Sequence, residues 1–214
     1  MKKIIFVTIP MKERLDTMDY SCNGNISCCY NQPVIFPINA ILADKLKEKD
    51  EVSVILLKTR TKEQEKNLQS ANNVAEFIRE LGEINASIGA KLSYEELESD
   101  FSETKENFEQ RIHSMLDKLE EDCQLYADIT YGPKPLPMIL MCAFTFAEKF
   151  FNADIKNIVY GKVEFIKGED GKEKPDNPEL YDIASLYYLN NLTSSMEAPN
   201  AETALKMLDK FFAL

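Results

Sequence analysis

No long uncharged apolar run occurs anywhere in the 214 residues, and the mean hydropathy is −0.31, so the sequence offers no transmembrane helix. The start, MKKIIFVTIP, has the charge and apolarity of a signal peptide. Its apolar run is short, however, and Pro10 with the charged residues 12–14 follows at once, which reads as a buried first strand. Basic residues are in deficit: 25 Lys and Arg stand against 36 Asp and Glu, a net charge of −11. A broad nucleic-acid-binding face needs clustered cations for counterion release, so long nucleic acid is excluded as a partner. A small anionic ligand is not, because a helix N-terminus with one or two lysines holds a phosphate whatever the global charge. No G-x-G-x-x-G follows the first strand and no G-x-x-x-x-G-K-[ST] occurs, which disfavours a dinucleotide enzyme and a P-loop NTPase. The one histidine, His113, lies beside the apolar face of a helical segment and is given no role. The five cysteines are unevenly spaced, which argues for free thiols and a cytoplasmic setting over a disulfide framework. Cys22, Cys28 and Cys29 lack a second pair at zinc-finger spacing, so no metal or cofactor is expected. Cys142 reads as a small core residue.

Apolar residues make up 44% of the chain, enough to bury a core. Continuous β-rich runs at 3–10, 51–59, 124–130 and 155–166 read as buried strands, with a weaker candidate at 84–94. Helical periodicity marks 36–50, 62–81, 101–123 and 135–151, a helix from about Ile183, and a last helix N-capped by Asn200. Residues 12–33 read as a long polar loop, a candidate lid over a ligand, and 168–178 as a charged Gly/Pro/Asp turn. Strands alternating with helices predict an α/β fold, a Rossmann-like and mostly parallel sheet with helices on both faces. Ligands in such sheets bind beyond the carboxyl ends of the strands. The two candidate rims are residues 8–14, after the first strand, and DITYGPKPLP at 128–137.

That second segment has chemistry of its own. Thr130 ends a strand with a hydroxyl at the rim, and Gly132 lets the chain turn and a ligand approach the backbone. Pro135 suits a first helical turn, whose free N–H groups and dipole predict an anion site, with Lys134 adding a point charge. Asp128 shares the strand face of Thr130, where its carboxylate can accept backbone N–H bonds from a neighbouring loop. Physical chemistry alone leaves two readings open, an anion site and a strand-to-helix turn with no ligand.

DITYGPKPLP at a strand end, then a long apolar helix, then a strand IVYG at 158–161, resembles the D-x-T-x-G signature of the CRISPR-associated Rossmann-fold (CARF) sensor domains of type III CRISPR systems. The resemblance spans most of the chain, and FPINAILADKL looks like the first helix of that family; its specific part is 128–137 and 158–164. The departure is Tyr131, where the subgroup best known for the motif often has His followed by Gly-Phe-Arg. The resemblance implies one sensor domain over 1–214, with 168–214 as an extension or the start of a linker to a covalently attached effector. It implies a homodimer that binds a cyclic oligoadenylate, most often the tetra-adenylate, with half of the ring on each protomer. The ligand-binding residues it implies are Thr8, Ile9, Pro10 and Met11 for base and ribose, and Asp128, Thr130, Tyr131, Gly132, Pro133 and Lys134 on the motif side. An alternative it carries is a metal-independent ring nuclease, in which Thr130 and Lys134 would support attack of a ribose 2′-OH on the adjacent phosphate. No Arg-x4-6-His effector motif follows the signature, since His113 precedes it.

Overall fold

The computed structural model describes residues 2–13, 15–23, 26, 30–167 and 173–213. The chain divides into two compact units, 1–184 and 185–214.

The first unit is built on a seven-stranded sheet: β1 (Lys2–Thr8), β2 (Ser21–Asn23), β3 (Glu51–Arg60), β4 (Lys91–Asp100), β5 (Gln124–Asp128), β6 (Asp154–Lys167) and β7 (Glu173–Asp182), in the spatial order β2-β7-β6-β5-β1-β3-β4. Every pairing is parallel except β6 with β7. Apart from β2, this is the doubly wound order, which reverses direction between β1 and β5 and opens a crevice at their carboxyl ends. The α/β, mostly parallel reading of the sequence therefore holds. Helices α1 (Pro37–Lys45), α2 (Gln64–Asn85), α3 (Lys105–Leu116) and α4 (Leu136–Phe150) make the crossovers, α1 packing with α2 and α3 with α4. Strand β1 is buried on both faces. Ile5 and Val7 join Phe36, Leu42, Phe77 and Leu81 in one core, while Phe6, pointing the other way, meets Phe144 of α4 at 5.9 Å.

Several elements depart from the sequence reading. The strand expected at 84–94 is β4, Lys91–Asp100, whose half-exposed edge position needs no apolar run. Part of the 12–33 loop is strand β2, and Met18 and Val34 pair as an isolated bridge; residues 14, 24–25 and 27–29 of the proposed lid lie outside the described residues. The charged turn at 168–178 overlaps β7, and its residues 168–172 are also outside them. Pro178 is tolerated in β7 because it falls where the register with β6 slips, beside Asn177 at φ +44°. On α2, Leu68 is exposed, and the buried face includes the polar Asn73 and Glu80. Phe101 precedes α3, which starts later because Thr104 caps it by accepting from the Asn107 N–H at 3.3 Å. The free-thiol reading fails at Cys22, which is disulfide-bonded, since sequence spacing does not report proximity in space; Cys123 and Cys142 are free. Cys142 is exposed on α4 and is not a core residue.

The second unit holds most of α5 (Ala184–Ser195) and all of α6 (Ala201–Phe212). Asn200 caps α6, its side chain accepting from the Thr203 N–H at 2.9 Å as its sequence position predicts. Among the described residues, no helix is long and apolar enough to cross a membrane.

One crossing fixes how α1 sits on the sheet. A Cβ added at Gly161 of β6 would stand 2.6 Å from Pro37 Cγ and 3.3 Å from Tyr20 Cε1. Gly161→Ala must push the start of α1 off β6, and overpacking of this kind costs about 1–3 kcal/mol. Urea denaturation of the variant is expected to show a lowered midpoint, and an unchanged midpoint would mean that this contact does not constrain α1.

Candidate functional site

The crevice forms where β1 and β5 end side by side. Thr8, the last residue of β1, is fully buried. Its hydroxyl donates to the Asp128 carbonyl at 3.0 Å and accepts from the Tyr131 N–H at 3.2 Å, so it pins the turn after β5 to the end of β1. Asp128 is also fully buried. One carboxylate oxygen accepts from the Thr130 N–H at 2.8 Å, and the other from the Ile38 N–H in the first turn of α1 at 3.2 Å. The Thr130 hydroxyl also bonds this carboxylate, and it accepts from the Gly161 N–H at 2.9 Å. Gly132 turns the chain at φ +94°, where a Cβ would meet Leu136 Cδ2 at 3.2 Å and Thr8 Cβ at 3.4 Å. The spacing D-x-T-x-G thus has a mechanical content: Asp128 ties β5 to α1, Thr130 ties the turn to β6, and Gly132 lets it close over Thr8.

A second carboxylate completes the support. Helix α1 has no side-chain cap of its own, its N-cap residue being Phe36. Glu80, buried on α2, accepts from the Ile35 N–H at 2.6 Å, the Phe36 N–H at 3.1 Å and the Asn39 side-chain amide at 2.7 Å. Two acidic groups from distant parts of the chain therefore satisfy the N-terminal donors of α1, at the positive end of its dipole. Burial raises both carboxyls, Asp128 to about 6, against the lowering effect of the N–H bonds each accepts. The opposite end of α1 is closed by a cation, the buried Lys3, which donates to the Lys45 carbonyl at 2.8 Å and pairs with Asp50 at 2.5 Å.

Above this support lies a cleft of about 620 Å³, lined by Ile9, Pro10, Met11, Lys12, Tyr131, Gly132, Pro133 and Lys134, with Thr59, Phe101 and Glu103 from the ends of β3 and β4. Of the residues singled out from sequence, Ile9–Met11 and Tyr131–Lys134 meet in this one cleft, while Thr8, Asp128 and Thr130 do not line it. The volume is within the range of small-molecule sites. Asn73 of α2 holds the first rim, its side-chain amide bonding the Pro10 and Lys12 carbonyls at 2.9 and 3.0 Å. Lys12 sits 5.1 Å from the centre of the Phe165 ring. Tyr131 is half-buried, edge-on to Phe36 at 6.4 Å, with its hydroxyl 3.5 Å from the Ile35 carbonyl; burial raises its pKa, so it stays a neutral phenol. Lys134 is exposed and has no ion-pair partner among the described residues.

The helix-start anion site expected from 135–138 is weaker than its sequence suggested. Pro135 and Pro137 carry no N–H, and the Leu136 N–H donates to the Pro133 carbonyl at 3.0 Å. The prolines that start the helix also remove its donors. The amides of Gly132 and Lys134, just before it, have no partner among the described residues and are free donors beside the cleft. Comparison of the chain with models of known protein families and with curated proteins gives no match.

Glu80, Asn73, Thr59, Phe101 and Gly161 were not singled out as site residues from sequence. The one signal available was that Asn73 and Glu80 fall among apolar positions of α2, at i and i+7 around Val74, Phe77 and Leu81.

The Asp128 shift sets a direction for pH. Its folded pKa is raised from 3.8 to about 6, so the folded state binds the proton more tightly than the unfolded state. The contribution of this group to stability is therefore greatest below about pH 4 and is lost as pH rises through 6, by about 3 kcal/mol. In urea titrations from pH 4 to 7.5, the stability difference between wild type and Asp128→Asn is expected to move against wild type across that window. A pH-independent difference would show that the carboxyl is not buried as described.

Proposed function

We propose that the first unit binds a cyclic oligoadenylate in the cleft at the β1/β5 crevice, as a homodimer that holds one ring between two protomers. The observation that carries this reading is the convergence of the D-x-T-x-G turn with the rim after β1 on one cleft, at the reversal point of a doubly wound sheet. The cleft's chemistry supports it. Lys12 and Lys134 oppose Glu103, so the lining is more cationic than a chain of net charge −11 would suggest. The free amides of Gly132 and Lys134 supply phosphate donors, and Ile9, Met11 and Tyr131 supply apolar surface for a base.

The two-fold arrangement is supported by the exposed face of α4, the helix that begins at the motif. Met138 is 72% and Phe150 61% exposed, and Phe146 lies against Phe150 at 4.6 Å. An isologous contact through such a stripe sets two copies of the motif about one axis, which suits a ring with its own two-fold symmetry.

The reading is of binding without cleavage. The Thr130 hydroxyl is already committed to the Gly161 N–H and the Asp128 carboxylate, which makes it part of the support and not a group free to act on a ribose. Calorimetry with rings of three to six adenylates is expected to show binding of at least one of them at one ring per two chains. Lys134→Ala is expected to lower that affinity about tenfold or more, as loss of a charged hydrogen bond does. The ligand is expected to remain intact after hours without metal. Linear products ending in a 2′,3′-cyclic phosphate would replace this reading with ring-nuclease activity, and absence of binding to any ring would overturn both.

A further inference from the structure

Arg111, in the C-terminal half of α3, is a buried cation that pairs with no carboxylate among the described residues. Its guanidinium Nη2 donates to the Asp100 carbonyl at 2.7 Å, while its Nε–H is buried without a partner. The acids around it are committed elsewhere or exposed. The Asp100 carboxylate accepts from the Arg60 Nε–H at 2.8 Å and from Arg60 Nη2 at 2.6 Å. Glu98 pairs with Arg60 at 3.2 Å and with Lys58 at 3.6 Å, and Glu103 is exposed. Burial lowers the Arg111 pKa, yet an arginine keeps its charge at neutral pH. A buried charge is costly unless it is paired, so this guanidinium calls for a counter-charge.

Arg111 lines a cavity of about 30 Å³ between α3 and the carboxyl-terminal parts of β3 and β4. The hydroxyls of Thr59 and Ser114 and the side-chain amide of Gln110 line it too, and none of them has a hydrogen-bond partner among the described residues. Glu98, the acid in the lining, is neutralised by its two cations. Leu57, Leu97, Met115 and Leu136 supply much of the remaining wall. Apolar walls lower the local dielectric and strengthen the attraction of an ion to Arg111. The space suits roughly one or two water-sized groups.

We infer that this cavity binds one compact monovalent anion, of the size of chloride, against the Arg111 Nε–H and the uncommitted hydroxyls. A water would satisfy the hydrogen bond and leave the charge unpaired. A nucleotide phosphate brings a ribose and a base for which the cavity has no room. The site is therefore separate from the first cleft, and the inference does not depend on what that cleft holds. It does bear on the wall of that cleft. Thr59 lines both spaces, and Arg111 holds the carbonyl of Asp100, the residue before Phe101 in the lining of the first cleft. An ion at Arg111 ties α3 to the ends of β3 and β4 and steadies that wall.

The test follows thermal melting of the full chain as chloride replaces gluconate at constant ionic strength, which holds screening fixed and changes the size of the anion. Wild type is expected to melt a few degrees higher in chloride, by an amount that grows with chloride concentration. Arg111→Met removes the charge and keeps an apolar stem, and it is expected to melt at the same temperature in both salts. If that variant does not fold, wild-type crystals soaked in bromide decide the matter. An anomalous peak within hydrogen-bond distance of Arg111 Nε is the expected result, whereas peaks confined to surface residues would mean an adventitious ion only and overturn the inference. Equal melting of wild type in the two salts, or a chloride response that survives in Arg111→Met, would overturn it as well.

Discussion

The carboxylate of Asp128 is the point on which the crevice depends. It is fully buried, carries no cationic partner among its hydrogen-bond contacts, and is held by backbone N–H groups of α1 and of its own turn. An isolated buried charge of this kind is costly, and donors at a helix N-terminus are among the few arrangements that offset it. Hydrogen bonds to a charged group contribute roughly 1.5–3 kcal/mol each, so the contacts of Asp128 and Glu80 are large on the scale of a domain's stability. What they secure is position. Strand β5, the motif turn, helix α1 and strand β6 are joined at one spot, through Asp128, Thr130 and the close approach of Gly161 to Pro37.

The same arrangement explains where a ligand can and cannot go. In a doubly wound fold with a glycine-rich fingerprint, the N-terminus of the first helix receives a phosphate. Here donors at that helix end are taken from within by two carboxylates, whose charge disfavours an external anion. This agrees with the lack of any G-x-G-x-x-G after β1. The proposed binding site lies instead in the cleft between the rim after β1 and the motif turn, where Lys12, Lys134 and two free amides are found. The acidity of the chain and a site for an anionic ligand are thus compatible, because the acids are used beneath the rim and the lysines on it.

Much of the fold was legible in the sequence because buried strands and amphipathic helices leave periodic traces. Strand β1 and helices α4 and α6 appear close to where their patterns put them. The failures have physical causes. Strand β4 is an edge strand with half-exposed faces, so it leaves no apolar run. Strand β7 contains two prolines, of which Pro178 is tolerated through a bulge. Within the site, the residues adjacent in sequence to the motif were legible and those brought by other elements were not. Glu80 reaches α1 from 44 positions away, and Asn73 reaches the first rim from 63. Neither contact has a local sequence signal beyond a polar residue on an apolar helix face. The role of Thr130 was read as ligand contact, whereas its hydroxyl is bound to Gly161 and Asp128.

The central claim is that the two rims form the binding surface and the carboxylates below form its support. Hydrogen–deuterium exchange with and without saturating cyclic tetra-adenylate tests both parts at once. Slowed exchange is expected at the amides of Met11, Lys12, Gly132 and Lys134, residues that line the cleft. Little change is expected at Ile38 and Thr130, whose amides are already bonded to Asp128. Unchanged exchange at both rims, or protection confined to the start of α1, would contradict the claim.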